Sequence, residues 1–376
     1  MFTSISLENF KCFLEKKDFQ LRNINVFTGY NGRGKSTVFQ AFLLLAQSLY
    51  DNKSLKELIV NSMFCKLGLF EDLINHNSTS KEINFHFTTD NENFKSIRIA
   101  YKEFNDRKGE LSDITINDKS YFERSGEIGG TLLSNDALLQ VYPDSIHSIF
   151  NNFNYISANR IGPTSFEVKQ DLYENNPIGQ SGEFRLNVLA GRTEIQKQIS
   201  EIIARIMDGG YMSVTGDSHT EKYSEVLKLY FTSIDSNKPI KSINCGFGYS
   251  YIIPIILAAI NMKGGCLFIE NPEAHLHPYA QSQLIKELVM LCSQNKIQLF
   301  IESHSEHVIN ALRICTLLDD YPDFTHSDLS IYFFDRDMSI KSLNMESNGQ
   351  ISSWPLGFFD QAERDVAKII QLGLFK

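Results

Sequence analysis

The segment Gly29-Tyr-Asn-Gly-Arg-Gly-Lys-Ser-Thr37 carries glycines, a lysine and hydroxyls at the spacing G-x-x-x-x-G-K-[ST], which is the spacing of a phosphate-binding loop. Gly29, Gly32 and Gly34 let the backbone N–H groups of the loop, Asn31 among them, curl around a β-phosphate. Lys35 is placed to reach the β- and γ-phosphates. The Ser36 hydroxyl is placed to ligate Mg²⁺ beside a helix N-terminus, with Thr37 in the same nucleotide-contacting stretch. Such a loop does not by itself separate kinases, GTPases, motors and ABC-type ATPases, so the rest of the chain has to decide.

The second half supplies further chemistry. Cys266-Leu-Phe-Ile-Glu270-Asn-Pro-Glu273 is an apolar run ending in carboxylates, where a P-loop fold keeps its Mg²⁺-associated acid. Gln298-Leu-Phe-Ile-Glu-Ser-His304-Ser is a second apolar run, ending in a polar cluster with a histidine. Asn244-Cys-Gly246-Phe-Gly248-Tyr-Ser250 is a glycine turn immediately before a helical pattern, a second candidate anion site without a P-loop lysine.

These residues need strands and helices to hold them. Short strands are expected over Phe2 to Phe10, Lys17 to Leu21 and Asn25 to Thr28, then a helix from Lys35 to Tyr50 whose apolar positions cover most of its surface. Alternating runs between Lys81 and Asp118 predict an antiparallel meander. The stretch 120–240 is polar and rich in Asn, Ser and Gly, with helical patterns near 136–150 and 192–208. After residue 241, strands (Cys266 to Ile269, Ile297 to Ile301, Ile331 to Phe334) alternate with helices (Tyr249 to Met262, Pro278 to Ser293, Ser305 to Leu318), which predicts a parallel sheet with crossover helices. No internal repeat and no low-complexity tract stands out.

Composition narrows the class. The chain has 376 residues, 42% hydrophobic and 22% charged, so a sizeable core is expected and wholesale disorder is excluded. A net charge of −9 does not indicate nucleic acid as a partner; contact with it would need a local basic patch. Six scattered cysteines without a C-x-x-C pair fit a reduced, cytoplasmic protein. The strongest apolar stretch, Tyr251 to Met262, is too short to span a bilayer, and no membrane partner is expected.

Lobe order, the Phe10-Lys-Cys-Phe13 opening, the P-loop, Pro-Glu-x-His-Leu-His-Pro at 272–278 and Ser-His-Ser at 303–305 resemble ABC-type ATPases of the RecF, SMC and OLD group. Leu67-Gly-Leu-Phe-Glu-Asp-Leu73, Tyr155-Ile-Ser-Ala-Asn-Arg-Ile-Gly-Pro163 and Trp354-Pro-Leu-Gly-Phe-Phe-Asp-Gln361 resemble, more narrowly, a bacterial, often defence-associated subgroup. The resemblance implies an α/β P-loop NTPase with an ABC-type head: an N-terminal lobe at 1–120, an inserted mixed and helical segment at 121–240, and a C-terminal lobe at 241–376. It implies ATP and Mg²⁺ as cofactors. Glu270 takes the Walker B position, His304 that of the switch histidine, and Gly246, Gly248 and Ser250 a degenerate signature facing the γ-phosphate of a second protomer. Lys11 falls where the family places a residue near the nucleotide. One departure stands out: the usual general-base glutamate is replaced by Asn271, and an amide cannot accept a proton from attacking water. Either Glu273 substitutes, or hydrolysis is slow, or the chain is a nucleotide switch.

By the same resemblance the expected partners are a second copy of the chain, as a homodimer or higher homo-oligomer, and a separate effector, a nuclease, in antiviral defence. The rivals are a DNA-repair or DNA-end-binding ATPase, which predicts DNA-stimulated hydrolysis with a steep salt dependence, and a transporter subunit. Other features have plainer readings. His275, His277, His304 and His307 lack the spacing of a helical zinc site. Asp335-Arg-Asp337 could be paired Toprim acids, but too few residues follow for the remainder of that site, so a hairpin turn is expected and nuclease chemistry is assigned to another chain. Arg160 is either a sensor or a buried arginine paired with an acid. The aromatic tail at 354–361 either contacts the effector or caps the core.

Overall fold

The computed structural model describes residues 1–120, 122–123, 131–132, 150, 152–171, 178–207, 211–216, 225–232, 238–355 and 357–373. The helical pattern at 136–149 lies outside the described residues. The chain opens with β1 (Phe2–Glu8) and β2 (Lys17–Gln20), crosses to a second sheet as β3 (Ile24–Gly29), and runs through the P-loop into helix α1 (Lys35–Asn52). It then returns to the first sheet as β4 (Glu57–Ile59), β5 (Glu82–Thr89), β6 (Ser96–Asn105) and β7 (Lys108–Ile116). That sheet is antiparallel, in the order β2-β1-β5-β6-β7-β4, with the two-residue strand Lys119–Ser120 on β7. Strict alternation of inward and outward residues along β5 (Ile83, Phe85, Phe87 buried) leaves one face on the core and one facing water.

The second sheet holds the functional residues. Its remaining members are β8 (Phe153–Ile156), and, after β9 (Glu167–Val168), helices α2 (Arg185–Leu189) and α3 (Thr193–Ile206), strands β10 (Tyr211–Gly216), β11 (Val226–Thr232) and β12 (Pro239–Lys241) and helix α4 (Phe247–Asn261), the strand β13 (Cys266–Glu270). Helix α5 (Pro278–Asn295), β14 (Gln298–Glu302), helix α6 (Glu306–Cys315) and the hairpin β15 (Leu329–Phe334) and β16 (Ile340–Leu343) follow, before helix α7 (Gln361–Gly373). The order is β8-β13-β14-β3-β15-β16, parallel except for the closing hairpin. β3, β13 and β14 are continuous apolar runs because both faces are covered. Phe27, Phe268 and Phe300 face the core shared with α1 and the first sheet, whereas Val26, Ile269 and Ile301 face the core formed with α3, α4, α5 and α6.

Part of the stretch expected as an insertion is therefore integral to the P-loop sheet. Phe153–Ile156 pairs in parallel with Cys266–Ile269. Its four consecutive buried residues are what an edge strand covered on both faces requires. The remainder of 153–241 includes a small antiparallel sheet, β9-β11-β10 with β12 on β11, whose Met212, Leu227, Leu229 and Phe231 join the helical core. Among the described residues, no helix is long and apolar enough to cross a membrane.

Candidate nucleotide site

The P-loop leaves β3 and enters α1 through glycines at φ +120° (Gly29), +69° (Gly32) and +100° (Gly34). Side chains seldom tolerate such backbone. A Cβ on Gly29 would also run into the Phe334 carbonyl of β15. Lys35 is buried, at 3% exposure, and its Nζ donates to the carbonyls of Gly29 (3.1 Å) and Tyr30 (2.8 Å), so the ammonium is held across its own loop. Burial lowers its pKa, opposed by the negative charge of Glu302.

Glu270 and Glu302 end neighbouring parallel strands and are direct register partners. Two residues earlier, Phe268 and Phe300 stack at 4.4 Å and both pack on Phe42 of α1 at 5.3 Å. Residues two apart on a strand share a face, so both carboxylates emerge on the face that carries α1, whose first turn contains Ser36. The Ser36 hydroxyl lies close enough to Glu302 to lower its pKa. Burial, with the neighbouring charges of Glu270 and Glu273, pushes the Glu302 carboxyl up to about 7, despite the lowering effects of Ser36 and Lys35. Glu270 accepts from the Ala158 N–H (3.2 Å) and from the Tyr155 hydroxyl on β8.

Arg160, 3% exposed, braces the same strand end. It donates to the carbonyls of Ser157 (3.1 Å), Glu270 (2.8 Å) and Asn271 (2.6 Å), with its guanidinium 5.1 Å from the Tyr251 ring. Its hydrogen bonds run to carbonyls, in place of the acid expected for a buried arginine, because Asn271 turns the chain at φ +45° and aims carbonyls into the interior. Burial draws its pKa down to about 10. Glu273 accepts from Ser303 Oγ (2.9 Å) and the His304 N–H (2.8 Å), so this carboxylate fixes the turn that carries His304. The His304 ring hydrogen-bonds the backbone of Gly29; its pKa is lowered by burial and by Lys35, and raised by that bond. Lys35, Ser36, Glu270, Glu273 and His304 are thus brought to one place, and Glu302 joins them.

Sequence reasoning passed over Glu302, although a signal for it exists. Leu-Phe-Ile-Glu occurs at both 267–270 and 299–302, and the two copies are neighbours in register. Lys11 lies beside the loop, with its Nζ on Gln40 of α1 at 2.7 Å. The glycine turn at 246–250 is less uniform than its sequence implied. A Cβ on Gly246 would meet nothing within 4 Å, but on Gly248 it would lie 3.1 Å from Leu276 and Met207 and 3.2 Å from the His275 carbonyl. Ser250 is fully buried. Gly248 and Ser250 therefore pack inward, leaving Gly246 and the half-exposed Phe247, stacked on His275 at 5.3 Å, as the outward part of that turn.

His277 caps α5, accepting from the Tyr279 N–H. Asp335 and Asp337 form the β15–β16 turn with Lys341 and Ser339, matching the hairpin reading. Of the two readings of the tail, Phe358 follows the core cap: it is buried against Phe333 at 5.2 Å and accepts from Trp354 Nε1 through its carbonyl (2.6 Å). Gly357, Phe358 and Phe359 line a cavity of about 140 Å³ together with Thr28, Gly29, Tyr30, His304 and Phe333, which places the tail against the P-loop.

The Ser36 hydroxyl and carboxylates at a helix N-terminus are donors that suit Mg²⁺, which takes one or two carboxylates and completes its shell with phosphate oxygens and water. Among the described residues, no group of three or more His, Cys, Asp or Glu side chains is placed to hold a metal unaided.

The chain is similar in sequence or fold to several known proteins. The chain is 23% identical over 340 residues to an OLD nuclease of Thermus scotoductus, covering 81% of this chain and 59% of that protein, so it spans little more than half of that relative's length. It is 22% identical to an ATP/GTP phosphatase of Helicobacter pylori, covering 83% of this chain and 87% of that protein. Its fold is like that of an SMC head solved with the C-terminal winged-helix domain of ScpA (TM-score 0.55, 15% identity, 91% of this chain and 98% of the other). An SMC head with an extended coiled coil from Pyrococcus furiosus gives a TM-score of 0.50 at 12% identity, covering 98% of this chain and 99% of the other. A model described as "Protein of unknown function (DUF3696)" matches residues 324–369. The model "AAA domain, putative AbiEii toxin, Type IV TA system" matches residues 24–310, the greater part of the chain; the protein belongs to that family and, with its SMC-head-like α/β fold, to the RecF, SMC and OLD group of P-loop ATPases.

Proposed function

We propose that this chain binds and hydrolyses ATP with Mg²⁺, pairs head to tail with a second copy around the nucleotide, and thereby gates a separate effector, a nuclease, in bacterial antiviral defence. The observation that carries the nucleotide part is the convergence of Lys35, Ser36, Glu270 and His304 on one P-loop. Lys35 exchanges its loop carbonyls for β- and γ-phosphate oxygens, and the loop N–H groups accommodate the β-phosphate. Mg²⁺, held by Ser36 and Glu270, supplies compensation for phosphate charge when bound. His304 stands at Gly29 to sense the γ-phosphate end. Asn271 cannot act as base, and Glu273, whose two oxygens each accept one protein hydrogen bond, keeps lone pairs with which to take that part.

The outward Gly246 turn supports pairing, because an exposed helix N-terminus can meet a partner's phosphate. The similarity to an OLD nuclease and to an SMC head bound to a domain of ScpA supports an effector partner. Equilibrium ATP binding and light scattering with and without ATP test the first two steps. ATP binding without any change in mass would remove the pairing step. Single-turnover hydrolysis by Glu270→Gln, Glu273→Gln and Asn271→Glu separates the chemistry: Glu270→Gln slows turnover, Glu273→Gln stalls it with ATP bound if Glu273 is the base, and Asn271→Glu accelerates it. Co-purification with the product of the neighbouring gene, followed by nuclease assays with and without ATP, tests the effector.

A further inference from the structure

Three carboxylates, Glu270, Glu273 and Glu302, stand close enough to act on one another by charge, and Glu302 is the one that also faces the buried ammonium of Lys35. Two of them are engaged by protein donors: Ala158 and Tyr155 hold Glu270, and Ser303 and His304 hold Glu273. Glu302 differs. It is 7% exposed, ends its strand beside Glu270 with the Ser36 hydroxyl close enough to lower its pKa, and its Oε2 is buried with no hydrogen-bond partner. A buried carboxylate oxygen without a partner is costly, and a bound cation would relieve both that cost and the mutual repulsion of the carboxylates.

Resting on the reading of this site as a Mg²⁺–nucleotide site, we infer that Glu302 is an additional acid of that site, which orients the Ser36 hydroxyl oxygen toward the metal and presents its free carboxylate oxygen to the metal's shell. By accepting the Ser36 proton it leaves the hydroxyl lone pairs for the cation, as carboxylates behind metal ligands do. The repeated Leu-Phe-Ile-Glu strands set this up, since their parallel register puts Glu302 beside Glu270 and one strand nearer to β3. Glu302 is thus a positioning residue for the metal. In metal-free protein it opposes the triphosphate by charge alone.

The readout is binding. ATP affinity is measured by equilibrium titration in EDTA and in Mg²⁺ for wild type, Glu302→Gln and Glu302→Asp, and Mn²⁺ affinity of the ATP complex by electron paramagnetic resonance. For Glu302→Gln we expect tighter ATP binding in EDTA, weaker binding in Mg²⁺, and a loss of about tenfold or more in Mn²⁺ affinity; Glu302→Asp recovers part of the metal dependence. A Glu302→Gln protein whose Mg²⁺ dependence and Mn²⁺ affinity stay within about twofold of wild type overturns the inference. So does equal weakening in EDTA and Mg²⁺, which marks a packing strut. Wild-type protein that binds no ATP in either condition overturns the nucleotide-site reading itself, an outcome distinct from a failure confined to Glu302.

Discussion

In the turn from Gly29 to Ser36, every glycine sits at positive φ and the lysine that follows is buried beneath the loop. In the turn from Cys245 to Ser250, Gly246 has φ −62°, open to any residue, and Gly248 is glycine because Leu276, Met207 and the His275 carbonyl crowd it. Both turns lead into a largely buried helix. The first uses glycine to bend the backbone around the Lys35 ammonium, the second to let a helix approach its neighbours. A glycine-rich turn before a helix is therefore a phosphate cradle only when its backbone curls and a cation lies beneath it.

The largest expected effect that tests this contrast is at Lys35. Lys35→Ala removes the cation from the first turn and should weaken ATP binding by about 3 kcal/mol, roughly 100-fold; calorimetric titration that finds unchanged affinity would break the assignment. Gly29→Ala comes next, since its methyl meets the Phe334 carbonyl at a positive φ. A loss of about 2 kcal/mol or more in unfolding free energy is expected, read by chemical denaturation.

Arg160 ties the helix after the second turn to the acid-bearing strand, because it lies on Tyr251 of α4 while holding the carbonyls at the end of β13. Arg160→Ala should cost about 2 kcal/mol through those orphaned carbonyls, and should weaken Mg²⁺-dependent ATP binding more than binding in EDTA. An equal effect in both would confine Arg160 to stability. The smallest effect is at Gly246. Gly246→Ala points into open space and should change stability by less than about 1 kcal/mol, whereas Gly246→Asp should abolish ATP-dependent pairing in light scattering with monomer binding intact. Gly248→Asp is the poorer probe, because it clashes within its own chain.

Much of this was legible beforehand. The expected helix from Lys35 to Tyr50 is Lys35–Asn52, and the expected meander is β5, β6 and β7. Those elements declare themselves through periodicity, which local burial enforces. The role of 153–156 was hidden, because the four-residue run Phe-Asn-Tyr-Ile in a polar region carries no periodic signal and owes its strand to pairing with Cys266–Ile269. Arg160 was readable only as one of two alternatives, since its partners are carbonyls that a sequence does not display.

The P-loop was fixed by sequence alone: loop, lysine and hydroxyl are contiguous, and the glycines determine the backbone directly. The same holds for Asn271, whose amide cannot become a base in any surroundings. The tertiary structure decided which acid reaches Ser36. Ser36 and Glu302 are far apart in the chain, and they come together because β14 lies between β3 and β13 in parallel register, with Phe268 and Phe300 seated on α1. A one-residue slip of that strand would turn Glu302 to the opposite face. Register is a property of the sheet, which no segment of the sequence contains by itself.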